Sequence, residues 1–125
     1  MKLETFGPES TRVQSLDKPA ISVTAGGRIG INIRAVELLE IHSGNRILFH
    51  KDEEGNWYLQ PTRAGGFEVK NKGTKHRPNN SNHIQSRFIC NQLTEEHERP
   101  CRFLLGRPTE ASGLLLYPLL KIKEP

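Results

Sequence analysis

Hydrophobic and polar residues alternate along two short stretches early in the chain, and a pair of glycines separates them. Ile21 and Val23 alternate with polar neighbours, and Ile29 and Ile31 do the same after Gly26-Gly27. A period of two residues is typical of half-buried strands, and a Gly-Gly pair suits a turn that requires positive φ. The pattern predicts a β-hairpin.

A helical pattern and a second hairpin follow. Asn32 can cap the next segment through its side-chain oxygen, and apolar residues then recur at helical spacing up to Glu40, which predicts a short amphipathic helix. Arg46–His50 and Trp57–Gln60 are strand-like and flank a loop rich in Asp, Glu, Gly and Asn, which predicts a hairpin. The resulting β-β-α-β-β unit, of about forty residues, is too small to bury a core by itself.

Two motifs of this unit resemble the AbrB-like transition-state regulators and the related MazE-type antitoxins. Gly27–Asn32 is similar to the family's Gly-Arg-apolar-apolar-Ile-Pro, and Leu39–Ile47 is similar to its Leu-Gly-Ile followed by Gly-Asp. The resemblance implies a swapped-hairpin barrel, which two units complete together, and DNA binding, with Arg28 at the position of the family's hairpin arginine.

The sequence also departs from this family pattern. The family's Pro, Gly and Asp are replaced here by Asn32, Glu40 and Asn45. Many DNA-binding members carry arginines in the helix, where this chain has Val36 and Glu37. These departures affect the expected function more than the expected fold.

Segments after the glycine-containing linker 62–66 repeat the order of the first unit. The predicted elements are a strand at Phe67–Gly73, a helix at His83–Leu93, and strands at Cys101–Leu105 and Leu114–Leu120. In that helix Ile84, Phe88 and Ile89 are expected to point inward, with Ser81 or Asn82 as its cap. Thr74–Asn80, where a return strand would fall, has no apolar alternation and is also compatible with a loop.

These segments predict a degenerate internal duplication. The predicted fold class is mostly β (α+β), an AbrB-like swapped-hairpin β-barrel formed by two β-β-α-β-β units in one chain. The predicted parts are an N-terminal tail or arm at 1–19, a first unit at 20–61 and a second, diverged unit at 67–122 packed with the first. A chance similarity of two patterns within one α+β domain is the alternative.

Composition narrows the class of protein. Of the 125 residues 34% are hydrophobic and 26% are charged, which is typical of a globular chain and not of a disordered one. No apolar run approaches the roughly 20 residues of a membrane span, and the start does not resemble a signal peptide. We therefore expect a soluble, cytoplasmic protein that makes no membrane contact, with Cys90 and Cys101 as reduced core residues.

The net charge of +4 is unevenly distributed, because the segment from Arg63 to Arg87 contains six basic residues and one acidic residue, Glu68. Basic side chains from both units would meet across a pseudo-twofold axis and could contact DNA phosphates. The predicted nucleic-acid-binding residues are Arg28, Arg34, Lys70, Lys72, Lys75, Arg77 and Arg87. The alternative is a solvated surface that serves only solubility.

A cluster of amide side chains lies beside this basic segment and consists of Asn79, Asn80, Asn82 and Gln85. Amides can pair with adenine in the major groove, but such clusters more often form turns and helix caps. We favour the turn and cap.

Enzyme chemistry finds little support in the sequence. His83, Cys90, His97 and Cys101 lack the paired close spacing of zinc ligands, and no His-Asp partner for a nucleophilic cysteine is identifiable. The glycines at 26–30 are not followed by the Lys-Ser/Thr pair of a phosphate-binding loop, and the acidic run 52–54 has the composition of a turn. We predict a non-enzymatic protein with no catalytic residue, no metal and no cofactor.

The predicted function is therefore that of a DNA-binding, transcription-regulator-like protein with double-stranded DNA as its partner. The alternative is a protein-interaction module, antitoxin-like or part of an assembly, because the apolar run Leu114–Leu120 would be adhesive if it were uncovered. The oligomeric state is open between a monomeric pseudo-dimer and a homodimer.

Overall fold

A computed structural model describes residues 18–41, 45–71 and 82–122. The first half contains β1 (Ala20–Val23), β2 (Arg28–Ile31), α1 (Ile33–Leu39), β3 (Arg46–Lys51) and β4 (Trp57–Thr62). The second half contains β5 (Phe67–Glu68), β6 (Lys70–Asn71), β7 (Asn82–Gln85), α2 (Arg87–Leu93), a 3-10 turn (Glu96–Glu98), β8 (Cys101–Leu105), β9 (Thr109–Ala111) and β10 (Leu114–Lys121).

The strands form a nearly closed antiparallel barrel, so the prediction of a mostly β barrel is confirmed. The order of hydrogen-bonded neighbours is β5-β3-β4-β10-β8-β1-β2-β7-β6, and β9 pairs with β10 off this path. Because only Val69 separates β5 from β6, the two ends of the sheet belong to one interrupted segment of chain. That segment brings the edges of the sheet together.

Both hairpins of the first half form as predicted. In the first, Ile21 lies opposite Ile31, and Gly27 has a φ of 83° in the turn. Asn32 joins the start of α1 to the start of β1, because its Oδ1 accepts from the backbone N of Ala35 at 2.9 Å and of Ala20 at 3.1 Å.

The predicted helix at His83–Leu93 is wrong at its beginning. Residues 82–85 form strand β7, and α2 begins at Arg87 with Ser86 as its cap, so the predicted cap at Ser81 or Asn82 is wrong. Ser81 itself lies outside the described residues. Ile84 lies opposite Ile29 across the ladder and is buried there in a strand. Ile89 is buried as expected, but Phe88 is 68% exposed, contrary to its predicted inward position.

Strands of the two halves are interleaved in the sheet, mostly in pairs. β1 pairs with β8 so that Ile21 lies opposite Phe103, and β5 pairs with β3 so that Phe67 lies opposite Ile47. The adjacent residue pairs of these two ladders also correspond. Ser22 lies opposite Arg102 in the β1–β8 ladder, and Glu68 lies opposite Arg46 in the β5–β3 ladder. Each half thus gives its first strand segment to the hairpin of the other half.

The core fills the interior of this barrel with aliphatic side chains from both halves. The fully buried ones of largest volume are Ile21, Ile29, Ile41, Ile47, Leu59 and Ile84. Cys90 and Cys101 are buried and form no disulfide, as predicted. No helix in the described ranges is both long enough and apolar enough to cross a membrane.

The long strand β10 is covered only in part. Tyr117 and Leu119 are buried where β10 pairs with β4 and β8. Leu114 and Leu115, where β10 pairs only with β9, are 39% and 48% exposed, and Leu120 is 53% exposed. The apolar run therefore forms a core strand that continues into an exposed two-stranded ribbon.

Candidate nucleic-acid interface

The paired strands β2 and β7 place one predicted arginine on the outside of the barrel. Ile29 and Ile84 face each other and are buried, so Arg28 and its opposite residue Gln85 point away from the core. Arg28 Nε donates a hydrogen bond to Gln85 Oε1 at 3.1 Å. This bond holds the guanidinium by its Nε, and within the described ranges both Nη groups remain for another acceptor.

Arg87 lies beside this pair because its stem covers the tip of the first hairpin. A Cβ built on Gly27 would approach Arg87 Cγ to 2.7 Å, so only glycine allows this contact. The contact places the first residue of α2 next to the residue that precedes Arg28.

Lys70 belongs to the same side of the sheet. It lies opposite His83 on β7, and His83 in turn lies opposite Gly30 on β2. Residues opposite one another share a face, so Lys70 is on the outer face with Arg28, and it is exposed. We call Arg28, Lys70, Gln85 and Arg87 the β2–β7 surface.

Arg34 is placed differently from the other predicted arginines. It lies on α1, and its Nη1 is 3.3 Å from Glu37 Oε2, with both side chains about half exposed at 50% and 58%. The carboxylate neutralises much of the charge that Arg34 could offer to a phosphate.

The remaining predicted contacts, Lys72, Lys75 and Arg77, lie outside the described residues, as do Asn79, Asn80 and the uncertain return strand. Asn82 is buried in β7, where its Oδ1 accepts from Asn71 Nδ2 at 3.1 Å, so it is not placed to contact a base. Gln85 is exposed and orients Arg28.

A polar cavity of about 260 Å³ opens beside Arg87, and sequence analysis did not predict it. The tip of the first hairpin, α2 and the 3-10 turn form its walls, and Asn91, Glu96 and Arg99 contribute polar groups. These three residues carry no local motif in the sequence, so no signal other than their polarity could have identified them.

The residues considered for metal or covalent chemistry do not form a site. Among the described residues, no three His, Cys, Asp or Glu side chains are grouped closely enough to hold a metal ion. Burial raises the pKa of the Cys90 thiol, which the positive charge of Arg99 opposes only in part. A buried thiol with a raised pKa is a poor nucleophile.

The arrangement offers oriented cationic donors on an exposed sheet face, which suits an anionic polymer better than a small substrate. Comparison of the chain with family models, with curated proteins and with solved structures gives no match, so its geometry alone must support a functional proposal.

Proposed function

We propose that this protein binds double-stranded DNA without enzymatic activity, as a transcription-regulator-like protein, through the β2–β7 surface. The observation that carries the proposal is the hydrogen bond from Arg28 to Gln85, which orients an arginine with no acidic partner among the described residues. Arg87 and Lys70 add positive charge on either side of it. A phosphate can bond to two nitrogens of such a guanidinium at once.

We further propose that the architecture is an AbrB-like swapped-hairpin barrel completed within one chain. The two corresponding ladders, with Ile21 opposite Phe103 and Phe67 opposite Ile47, support an internal duplication. The contact of β2 with β7 supports it as well, because a pseudo-twofold axis would pass between two equivalent strands there. This arrangement makes a monomeric pseudo-dimer sufficient, and a cytoplasmic location fits the role.

The test is the salt dependence of binding to a random-sequence duplex. We expect Arg28→Ala and Arg87→Ala each to reduce the slope of log K against log salt by about 0.9, the value for one lost phosphate contact on duplex DNA. Gln85→Ala should lower affinity several-fold with little change in slope, because it frees Arg28 without removing a charge.

Arg107→Ala is the matched control, since it removes the same charge from an exposed position on the loop between β8 and β9. It should leave the slope unchanged. Absence of binding at low salt, or an equal effect of Arg107→Ala, would contradict the DNA-binding proposal.

The second candidate, a protein-interaction module, is favoured by the exposed ribbon of β9 and the first residues of β10. Leu114 and Leu115 expose apolar surface where β10 has left the barrel. If DNA binding fails, sedimentation of the wild type and of Leu115→Lys over a range of concentrations tests this candidate. Self-association that the substitution abolishes would support it.

A further inference from the structure

The polar cavity beside Arg87 contains groups that the DNA-binding proposal does not require. Gly26 and Gly27 line it together with Arg87, Asn91 and Arg99. The stem of Arg87 covers Gly27, but a Cβ built on Gly26 would meet Thr24 Oγ1 only at 4.0 Å, so a ligand can approach the backbone closely at Gly26. The cavity of about 260 Å³ is large enough for a group of several heavy atoms.

Arg99 lines this cavity and is held by three hydrogen bonds. Its Nε donates to Thr94 Oγ1 at 2.9 Å, and its Nη2 donates to Asn91 Oδ1 at 2.7 Å and to the Thr94 carbonyl at 3.2 Å. Among the described residues nothing accepts from its Nη1. The guanidinium is therefore fixed through Nε and Nη2, and Nη1 is its remaining donor group.

The bond from Arg99 also fixes the orientation of Asn91. Because Asn91 Oδ1 accepts from the guanidinium, Asn91 Nδ2 remains a donor toward a ligand. Two arginines and an asparagine thus line one cavity, and their N–H groups are the donor types of an oxyanion site. Glu96 at the same cavity is the one carboxylate and opposes an anion.

From this convergence we propose that the cavity binds a phosphate group, with Arg87, Arg99 and Asn91 as its donors. The phosphate comes either from a nucleic-acid backbone, reached from the β2–β7 surface through Arg87, or from a free nucleotide. The negative charge of Glu96 weakens the binding of inorganic phosphate. Its carboxylate can, however, accept a hydrogen bond from a sugar hydroxyl or an amino group of a larger phosphate-containing ligand. The proposal is independent of DNA binding by Arg28.

The experiment is a titration of the full chain with inorganic phosphate, adenosine 5′-monophosphate and adenosine, followed by amide chemical shifts. We expect saturable shifts at Gly26, Gly27 and Asn91 with the two phosphate-containing probes and none with adenosine. Equal shifts with adenosine, or no saturable shifts at these residues, would overturn the proposal.

Two substitutions should change phosphate affinity in opposite directions. Glu96→Gln removes the opposing charge and should increase the affinity for inorganic phosphate about fivefold. Asn91→Asp should decrease this affinity about fivefold, as expected for charge pairs at a solvent-accessible site. Asn91→Asp keeps the acceptor that holds Arg99, so the fold is preserved.

The controls are Glu110→Gln and Gln92→Glu, which make the same charge changes at exposed residues that do not line the cavity. They should change affinity less than the cavity variants. If each control matches its cavity variant, the proposal is overturned, because only net charge then matters.

The source of the phosphate is distinguished within the same experiment. Displacement of inorganic phosphate by a DNA duplex indicates backbone phosphate, and much tighter binding of the mononucleotide than of inorganic phosphate indicates a free nucleotide. Arg107→Ala, which removes the same charge outside both proposed sites, should leave the affinity for inorganic phosphate unchanged. Failure of DNA binding with saturable phosphate shifts would therefore contradict the DNA proposal alone.

Discussion

At the scale of single residues, Gly27 combines a positive φ with a close contact, whereas most of the described glycines have one of these constraints or neither. Its φ of 83° is unfavourable for residues with a side chain, and a Cβ would lie 2.7 Å from Arg87 Cγ. Gly55 has a similar φ of 88° but no atom within 4 Å of a built Cβ. Comparing substitutions at Gly55 and Gly27 therefore separates the effect of backbone strain from that of the contact with Arg87.

We expect Gly55→Ala to lower the free energy of unfolding by about 1–2 kcal/mol, the cost of left-handed backbone for an L-residue. Gly27→Ala should lower it further, because Arg87 must also move. The measurement is urea denaturation of both variants and of Gly27→Ala combined with Arg87→Ala. If the double variant does not recover the additional loss, the contact with Arg87 is not its cause.

At the scale of elements, the turn between β3 and β4 is held by one carboxylate. Asp52 Oδ1 accepts from the backbone N of Asn56 at 2.8 Å and of Glu54 at 2.9 Å, and Oδ2 accepts from the Tyr58 hydroxyl at 3.0 Å. The backbone bond from Asn56 contributes most to lowering the pKa of Asp52 below 3.8, and burial opposes it. The bond to Asp52 correspondingly raises the pKa of Tyr58.

A lowered carboxyl pKa in the folded state stabilises the protein above the unfolded pKa, and this stability is lost as the pH falls through the folded value. The urea midpoint should therefore fall as the pH decreases below 3.8, and it should fall less in Asp52→Asn. Glu53→Gln is the control, because it removes the adjacent exposed carboxylate and should retain the pH dependence of the wild type. Equal pH profiles for Asp52→Asn and the wild type would contradict this role for Asp52.

Sequence patterns predicted the elements of the first half well because each depends on neighbours in sequence. Alternation at Ile21 and Ile29, and a capping side chain at Asn32, are local signals. The start of α2 was mispredicted because Ile84 and Phe88 stand at helical spacing although Ile84 faces a strand and Phe88 faces solvent. The cavity was missed because three separate elements bring its groups together.

At the scale of the whole molecule, neither half of the chain forms a continuous sheet alone. β1 and β2 lie between β8 and β7, and β10 joins β4 to β8. A core built in this way requires both halves at once, because Ile21 and Phe103, or Phe67 and Ile47, are adjacent only after the halves interleave.

We therefore expect each of the fragments 1–64 and 65–125 to be unfolded when alone. The equimolar mixture should regain the amide resonances of the native protein. The cut falls between β4 and β5, where it breaks no strand. Dispersion of amide resonances for each fragment and for the equimolar mixture measures this. A fragment 1–64 that folds as a monomer would contradict the requirement for both halves.

The pairing of β1 with β8 also bears on biosynthesis. Val23 leaves the ribosome long before its partner Cys101 has been translated, and the edge of β4 stays open until β10 has been made. The nascent polypeptide thus exposes β-strands with apolar faces throughout most of its elongation. Such segments are the ones that cellular chaperones shield.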